Sequence, residues 1–196
     1  MFIVVLKKIK IACPWVWNMI ECLNGKLVSL LYGKRILTAS QILGNDYGTF
    51  NFRVLTVEDA QSLVDLIARQ PKGFDVFFKP HSFDLRTFKK VLSNKTYLLI
   101  GAYNSSSLVG YCFIRFAVNK AAYRGKMVDK AYQGKGIAKT MGILMTKIAV
   151  GAGFRLYATI SKHNLASLKS SKAVNDIRII KELPDDYVYI EYVGLK

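Results

Sequence analysis

The chain has 196 residues, 52% of them hydrophobic, and a net charge of +16. That length suits a single folded domain with an ample core, and the basic residues are scattered without any nucleic-acid-binding motif, which argues against nucleic acid as the partner. Cys13, Cys22 and Cys112 are odd in number and lack metal-ligand spacing, so neither a disulfide framework nor a bound metal is expected, and a cytoplasmic location follows.

The amino-terminal stretch, residues 1–49, reads as an amphipathic, basic, helical extension. Met1 to Leu6 is apolar, and Lys7, Lys8 and Lys10 follow. The longest uncharged run, Ile11 to Ile20, is broken by Pro14 and falls short of the roughly 18 apolar residues a span needs. The lysines also split any signal-peptide core, and Lys10 spoils a lipoprotein cleavage site before Cys13. Within Trp15 to Leu37, the residues Val16, Ile20, Leu23, Leu27 and Leu30 share one helical face. Such a face needs cover. Packing on the domain or on a second copy in a homodimer is expected, because Gly25 and Gly33 each weaken a free helix by about 1 kcal/mol. The alternative is peripheral contact with anionic lipid at the inner face of a membrane.

Residues 50–196 read as one α/β domain. A strand over Phe50 to Val57 leads into a helix over Glu58 to Arg69, with Thr56 and Asp59 spaced like a capping box. A loop holding His81 precedes a helix over Asp84 to Leu92. Tyr97 to Tyr103 and Leu108 to Ala117 form a hairpin across Asn104-Ser105-Ser106-Ser107, and Ala121 to Asp129 adds a third strand. Gln133-Gly134-Lys135-Gly136 is then a turn opening a helix whose apolar residues are Ile137, Met141, Leu144 and Ile148. After a strand over Gly153 to Ile160, Asn164 is placed to cap a helix holding Ala166, Leu168 and Ala173. The chain closes with a hairpin, Asp176 to Leu183 and Tyr187 to Val193, around Pro184-Asp185-Asp186.

The glycine turn is the most informative feature. Glycines at a helix start let backbone N–H groups and the positive helix end meet a pyrophosphate, and Lys135 adds a full charge. It is not a Walker loop, because Gly136 rather than Ser or Thr follows Lys135, and the third glycine of a dinucleotide fingerprint is missing. Gln133, Gly136 and Ala138 fill the three fixed places of Gln/Arg-x-x-Gly-x-Gly/Ala, and Asn164 with Ser167 supplies an Asn-x-x-Ser after the following strand. In these motifs and their order the chain, from about Phe50 to Val193, resembles the GNAT superfamily of acyl-CoA N-acyltransferases.

That resemblance implies a mixed, centrally splayed β-sheet flanked by helices, and direct transfer of an acetyl group from acetyl-CoA to an amine acceptor, with no metal. It implies a cofactor site made of the Met127 and Val128 backbone along the pantetheine, Gln133, Gly134, Lys135, Gly136, Ile137 and Ala138 around the pyrophosphate, and Asn164 and Ser167 beside it. Lys139, one turn into the helix, could reach a phosphate. Ser171 departs from the pattern. It stands where many members carry the tyrosine that protonates the leaving thiolate, and a serine hydroxyl is a much weaker acid. No Glu precedes the signature on its strand, which leaves His81 as the candidate base in the acceptor-side loop. A catalytically silent acyl-CoA-binding or membrane-associated module is the competing reading. Cys112 and the tyrosines of the final strand read as core and sheet residues.

Overall fold

A computed structural model describes residues 14–44 and 47–196, with side-chain detail from Met19 onward. Met1 to Leu6, the first lysines and Cys13 lie outside that description, as does the side chain of Val16. Seven strands form one sheet: β1 (Asn51–Val54), β2 (Tyr97–Asn104), β3 (Ser107–Phe116), β4 (Ala121–Val128), β5 (Arg155–Ser161), β6 (Asn175–Leu183) and β7 (Tyr187–Leu195). Their order is β1-β2-β3-β4-β5-β7-β6. Among the described strands only β4 and β5 are parallel neighbours, and they pair for just three residues, Ala121–Tyr123 against Arg155–Tyr157. Beyond that the two strands part. The sheet is therefore mixed and splayed at its centre, as the resemblance implied.

The helices are α1 (Pro14–Ser40), α2 (Ala60–Ala68), α3 (Leu85–Leu92), α4 (Ile137–Gly151) and α5 (Leu165–Lys172). One face of the sheet carries α2 and α3 over Leu55, Leu63, Leu66, Phe88 and Tyr111. The other carries α1 and α4 over Ile100, Ile114, Met141, Leu144 and Ile148. Alternating strand residues serve these two cores in turn. Cys112 is fully buried and its thiol is pushed up to about 12 by burial, which fits a core residue rather than a nucleophile.

The first strand is shorter than the sequence suggests. Its continuation ends because the Thr56 N–H donates to Asp59 Oδ2 at 2.9 Å, folding Val57–Asp59 into a 3-10 turn before α2 begins. Arg53 then reaches across to the same carboxylate, at 2.8 and 2.6 Å.

Pro14 opens α1 at the first helical position, where its missing N–H costs nothing. The face α1 lays on the domain is not the one its apolar periodicity selects. Val28 is fully buried, Gly25 faces Asn94, Lys95 and Thr96, and the Tyr32 ring meets Phe154 edge-on. The Tyr32 hydroxyl donates to the Val118 carbonyl at 3.1 Å, and Glu21 pairs with Arg115 at 3.4 Å. This side wins because its polar tips satisfy the β3–β4 connection while its small residues allow close approach. Ile20, Leu23, Leu27 and Leu30 are left exposed together with Met19, Leu31 and Leu37. The expected burial of the Leu face on the domain is thus overturned.

Candidate active site

The local chemistry of the glycine turn is as anticipated. Gly134 and Gly136 have φ of +79° and +84°, the left-handed region that glycine enters without a Cβ penalty. Gly136 is the N-cap of α4, and its carbonyl accepts from Lys139 and Thr140. Among the described residues, no backbone N–H from Gly134 to Ala138 donates to a protein acceptor. A Cβ added at Gly134 or Gly136 would meet nothing within 4 Å. The turn thus presents free donors to open space at the positive end of a 15-residue helix, the arrangement that binds phosphate. Gln133 secures its entry by donating to the Val128 carbonyl at 3.3 Å.

The gap between β4 and β5 supplies the second half of the site. The Asp129 N–H donates to Val109 on β3, and on the opposite edge Arg155 donates to the Lys120 carbonyl. Strand alternation therefore turns the main-chain groups of Arg124, Lys126 and Val128 toward the edge that β5 abandons after Tyr157. Apart from the Val128 carbonyl, which accepts from Gln133, those groups are available to an extended ligand. Met127 lines the gap, but its main chain belongs to the β3 side. Lys126, rather than Met127, shares the open backbone edge with Val128.

Turn and gap open into one cavity of about 470 Å³ lined by β4, β5, α4 and α5, with Phe77 and Phe78 at one wall. Gly125 admits that wall: a Cβ there would lie 2.6 Å from the Phe113 ring and 3.0 Å from the Phe78 ring. The lining includes Met127, Val128, Gln133, Gly134, Gly136, Ile137, Ala138, Lys139, Asn164, Ser167 and Ser171, so most of the expected cofactor residues meet in one place. Asn164 caps α5 as expected, its side-chain oxygen accepting the Ser167 N–H at 3.0 Å. Lys135 is not in the lining; its ammonium sits 4.7 Å from the centre of the Tyr132 ring.

Among the described residues the lining contains Arg124, Lys126 and Lys139 but no Asp or Glu. Arg124 is buried, donating to the Gly142 carbonyl, Thr146 Oγ1 and Asn175 Oδ1 while its guanidinium lies over the Tyr192 ring. The Lys126 ammonium donates to the Ala138 carbonyl at 2.8 Å and to Ser170 Oγ at 2.7 Å. Burial, with the neighbouring Arg124 charge, lowers its pKa to about 8. The cavity is built for negative charge. Sequence reading passed over Arg124, Lys126 and Ser170, and took Tyr192 for a sheet residue. The available signal was a strand with two cations, Arg124 and Lys126, at alternate positions leading to the core residue Val128 and the glycine turn.

The two catalytic candidates are placed differently. Ser171 is in the lining, but it is buried and its hydroxyl is engaged with the Tyr192 hydroxyl at 3.1 Å. His81 is not in the lining: its ring packs edge-on against Phe83 and Phe88, and Nδ1 lies 2.7 Å from the Ser82 carbonyl oxygen. Asp129 caps the following 3-10 turn and pairs with Arg69 at 3.3 Å, a structural role.

Residues 61–170 match the acetyltransferase (GNAT) family. The chain belongs to that family. Solved structures agree in fold. The GNAT domain of PAT from S. lividans superposes with a TM-score of 0.65 at 18% identity, covering 74% of this chain and 90% of that one. PaiA N-acetyltransferase from Thermoplasma acidophilum, solved with coenzyme A, gives 0.62 at 17% identity over 74% and 99%. YncA from Salmonella typhimurium, a putative acetyltransferase solved with acetyl-CoA, gives 0.58 at 13% identity over 76% and 95%. No curated protein matches the sequence.

Proposed function

We propose that this acetyltransferase moves the acetyl group of acetyl-CoA directly to a primary amine. The observation that carries the reading is the run of free N–H groups over Gly134–Ala138, continuous with the open backbone edge of β4 in a cavity with no acidic lining among the described residues. Diphosphate at the turn, pantetheine along Lys126 and Val128, and thioester in the gap follow the line of these groups. The complexes of the PaiA and YncA relatives support the choice of donor.

Chemically, the amine lone pair attacks the thioester carbonyl, the C–S bond breaks, and the sulfur leaves with its electron pair. An N–H of the β4 open edge is positioned to stabilise the carbonyl oxygen as it becomes negative. With His81 held outside the cavity wall, the acceptor arrives as a neutral amine and loses its proton to solvent. A small amine, an amino sugar and a protein amine all meet that chemical requirement. Coenzyme A titration by calorimetry tests the site, and release of free thiol across an amine panel tests turnover and separates an enzyme from a silent module. Absence of CoA binding at millimolar concentration overturns the reading.

The exposed face of α1 favours a location as well. Leu30 and Leu37 are 81% and 69% exposed, in line with Met19, Leu23 and Leu27, and Lys26 and Lys34 lie on the same solvent side. A net charge of +16 opposes pairing of two copies through this face and suits an anionic membrane surface, where leucines enter the headgroup boundary and lysines meet lipid phosphate. No described helix is long and apolar enough to cross a membrane, so the contact is peripheral. The first 49 residues then form the attachment segment and residues 50–196 the catalytic domain, with the enzyme at the cytoplasmic surface. Salt-sensitive co-sedimentation with anionic vesicles is the expected result. A salt-insensitive dimer with no vesicle binding refutes this location.

A further inference from the structure

We infer that Lys126 is the acid of this site, donating the proton that the departing thiolate of coenzyme A needs, in the role that Ser171 is too short and too engaged to fill. The inference rests on the acetyl-CoA reading above.

Three observations place the ammonium there. Lys126 lies on the part of β4 that β5 has left, so backbone and side chain both border the gap. Its Nζ spans from β4 to the first turn of α4 and to Ser170 on α5, 2.8 and 2.7 Å away, which brings it to the helix that carries Ser171. Both partners are neutral. Among the described residues no carboxylate lines the cavity to balance either Lys126 or Arg124, and a buried cation is costly without a counter-charge. A thiolate forming in the gap supplies that charge at the moment the C–S bond breaks.

Ser171 cannot do the same. Its hydroxyl is buried against Tyr192, and a serine hydroxyl is a far weaker acid than a lysine ammonium. The acidity of Lys126 is suited to the step: its pKa is lowered to about 8, below the roughly 8.5 of even a cysteine thiol, so transfer of its proton to the departing thiolate runs downhill. In the step the C–S electron pair goes to sulfur. The proton passes from Nζ to sulfur, directly or through Ser170 Oγ, which gives one proton as it takes another. Coenzyme A leaves as the thiol and Lys126 as the neutral amine. The amide nitrogen sheds its own proton to solvent, and Lys126 regains one from solvent, so charge and protons balance over the cycle.

The test uses the full chain, coenzyme A and desulfo-coenzyme A. In the parent, the ultraviolet absorbance of the bound thiolate should develop at lower pH than in free coenzyme A, because a facing ammonium favours the anion. Lys126→Met should abolish that shift while binding desulfo-coenzyme A within about threefold of the parent. It should lower kcat by roughly 100-fold or more with little change in KM for acetyl-CoA. Lys126→Arg keeps the charge and the donors but holds its proton too tightly. It should retain the thiolate shift, lose kcat, and lose the fall in activity that the parent shows as pH rises through about 8.

A bound thiol that titrates as free coenzyme A does, or titrates identically in parent and Lys126→Met, overturns the inference. So does a Lys126→Arg enzyme with parental kcat, which makes the lysine a structural tie. Loss of desulfo-coenzyme A binding alone, with kcat intact, makes it a phosphate ligand and also overturns the inference. Failure of the parent to bind either ligand removes the acetyl-CoA reading itself.

Discussion

Gly136 separates backbone strain from cofactor recognition, provided that a second glycine serves as its control. Gly136 has φ of +84° and Gly73, in the loop before the 3-10 turn Phe74–Val76, has φ of +81°. A Cβ at Gly136 meets nothing within 4 Å, and at Gly73 only Val76 Cγ2 at 3.9 Å. Neither alanine is crowded, so the folded-state cost of each is conformational, about 1–2 kcal/mol for a left-handed non-glycine residue. Gly136→Ala and Gly73→Ala should therefore lose similar stability in urea titrations. They should differ in ligand binding. The Gly136 methyl projects into the space the free N–H groups face, and holding a pyrophosphate away from one charge-assisted hydrogen bond costs about 1.5–3 kcal/mol, roughly a 10- to 100-fold weaker Kd by calorimetry. Gly73→Ala should bind coenzyme A as the parent does. Two folded variants with equal, parental affinity would refute the assignment of this turn as the phosphate cradle.

Asn164→Ala removes the acceptor of the Ser167 N–H and should cost about 1 kcal/mol of stability in chemical denaturation, with coenzyme A affinity falling less than in Gly136→Ala. Acid should weaken the fold through Asp59 and Glu191, both held to about 2, the first by Arg53 and the second by Arg155 and then Arg178. Their folded pKa values lie below the ordinary carboxylate values, so the stabilisation is complete above about pH 4.5 and is lost as pH falls toward 2. The partially exposed arginines limit it to about 1 kcal/mol per carboxylate. Denaturant midpoints of Asp59→Asn should accordingly depend less on pH over that window, and an unchanged dependence would count against the pairing. Replacing Leu23, Leu27 and Leu30 by Ser should abolish vesicle co-sedimentation without lowering the melting temperature, since none of the three is buried; a large drop in melting temperature would show that the face is covered within the protein.

What could be read from sequence was what rests on short-range geometry. The helix starting at Ile137, the glycines before it and the cap at Asn164 are decided within a few residues by periodicity, positive φ and an i to i+3 hydrogen bond. Each was legible for that reason. The splaying of the sheet at its centre was legible only through the resemblance, and its strand order not at all, because pairing partners are distant in the chain. The apolar face of α1 misled, because periodicity records where leucines stand and not which side finds partners. Gly25, Val28 and Tyr32 dock because Thr96, Val118 and Phe154 happen to lie opposite. His81 stands in the expected loop, but its ring packs on Phe83 and Phe88 and is not part of the cavity lining. Lys126 is the clearest case of tertiary decision. In sequence it is one of many lysines on a basic chain. Its acidity and its reach come from burial in the parting of β4 and β5 and from Ser170, which is 44 residues away. Local bonding determined the turn that can hold a cofactor, whereas only the long-range closure of the sheet brought an unbalanced cation to the place where a leaving thiolate would form.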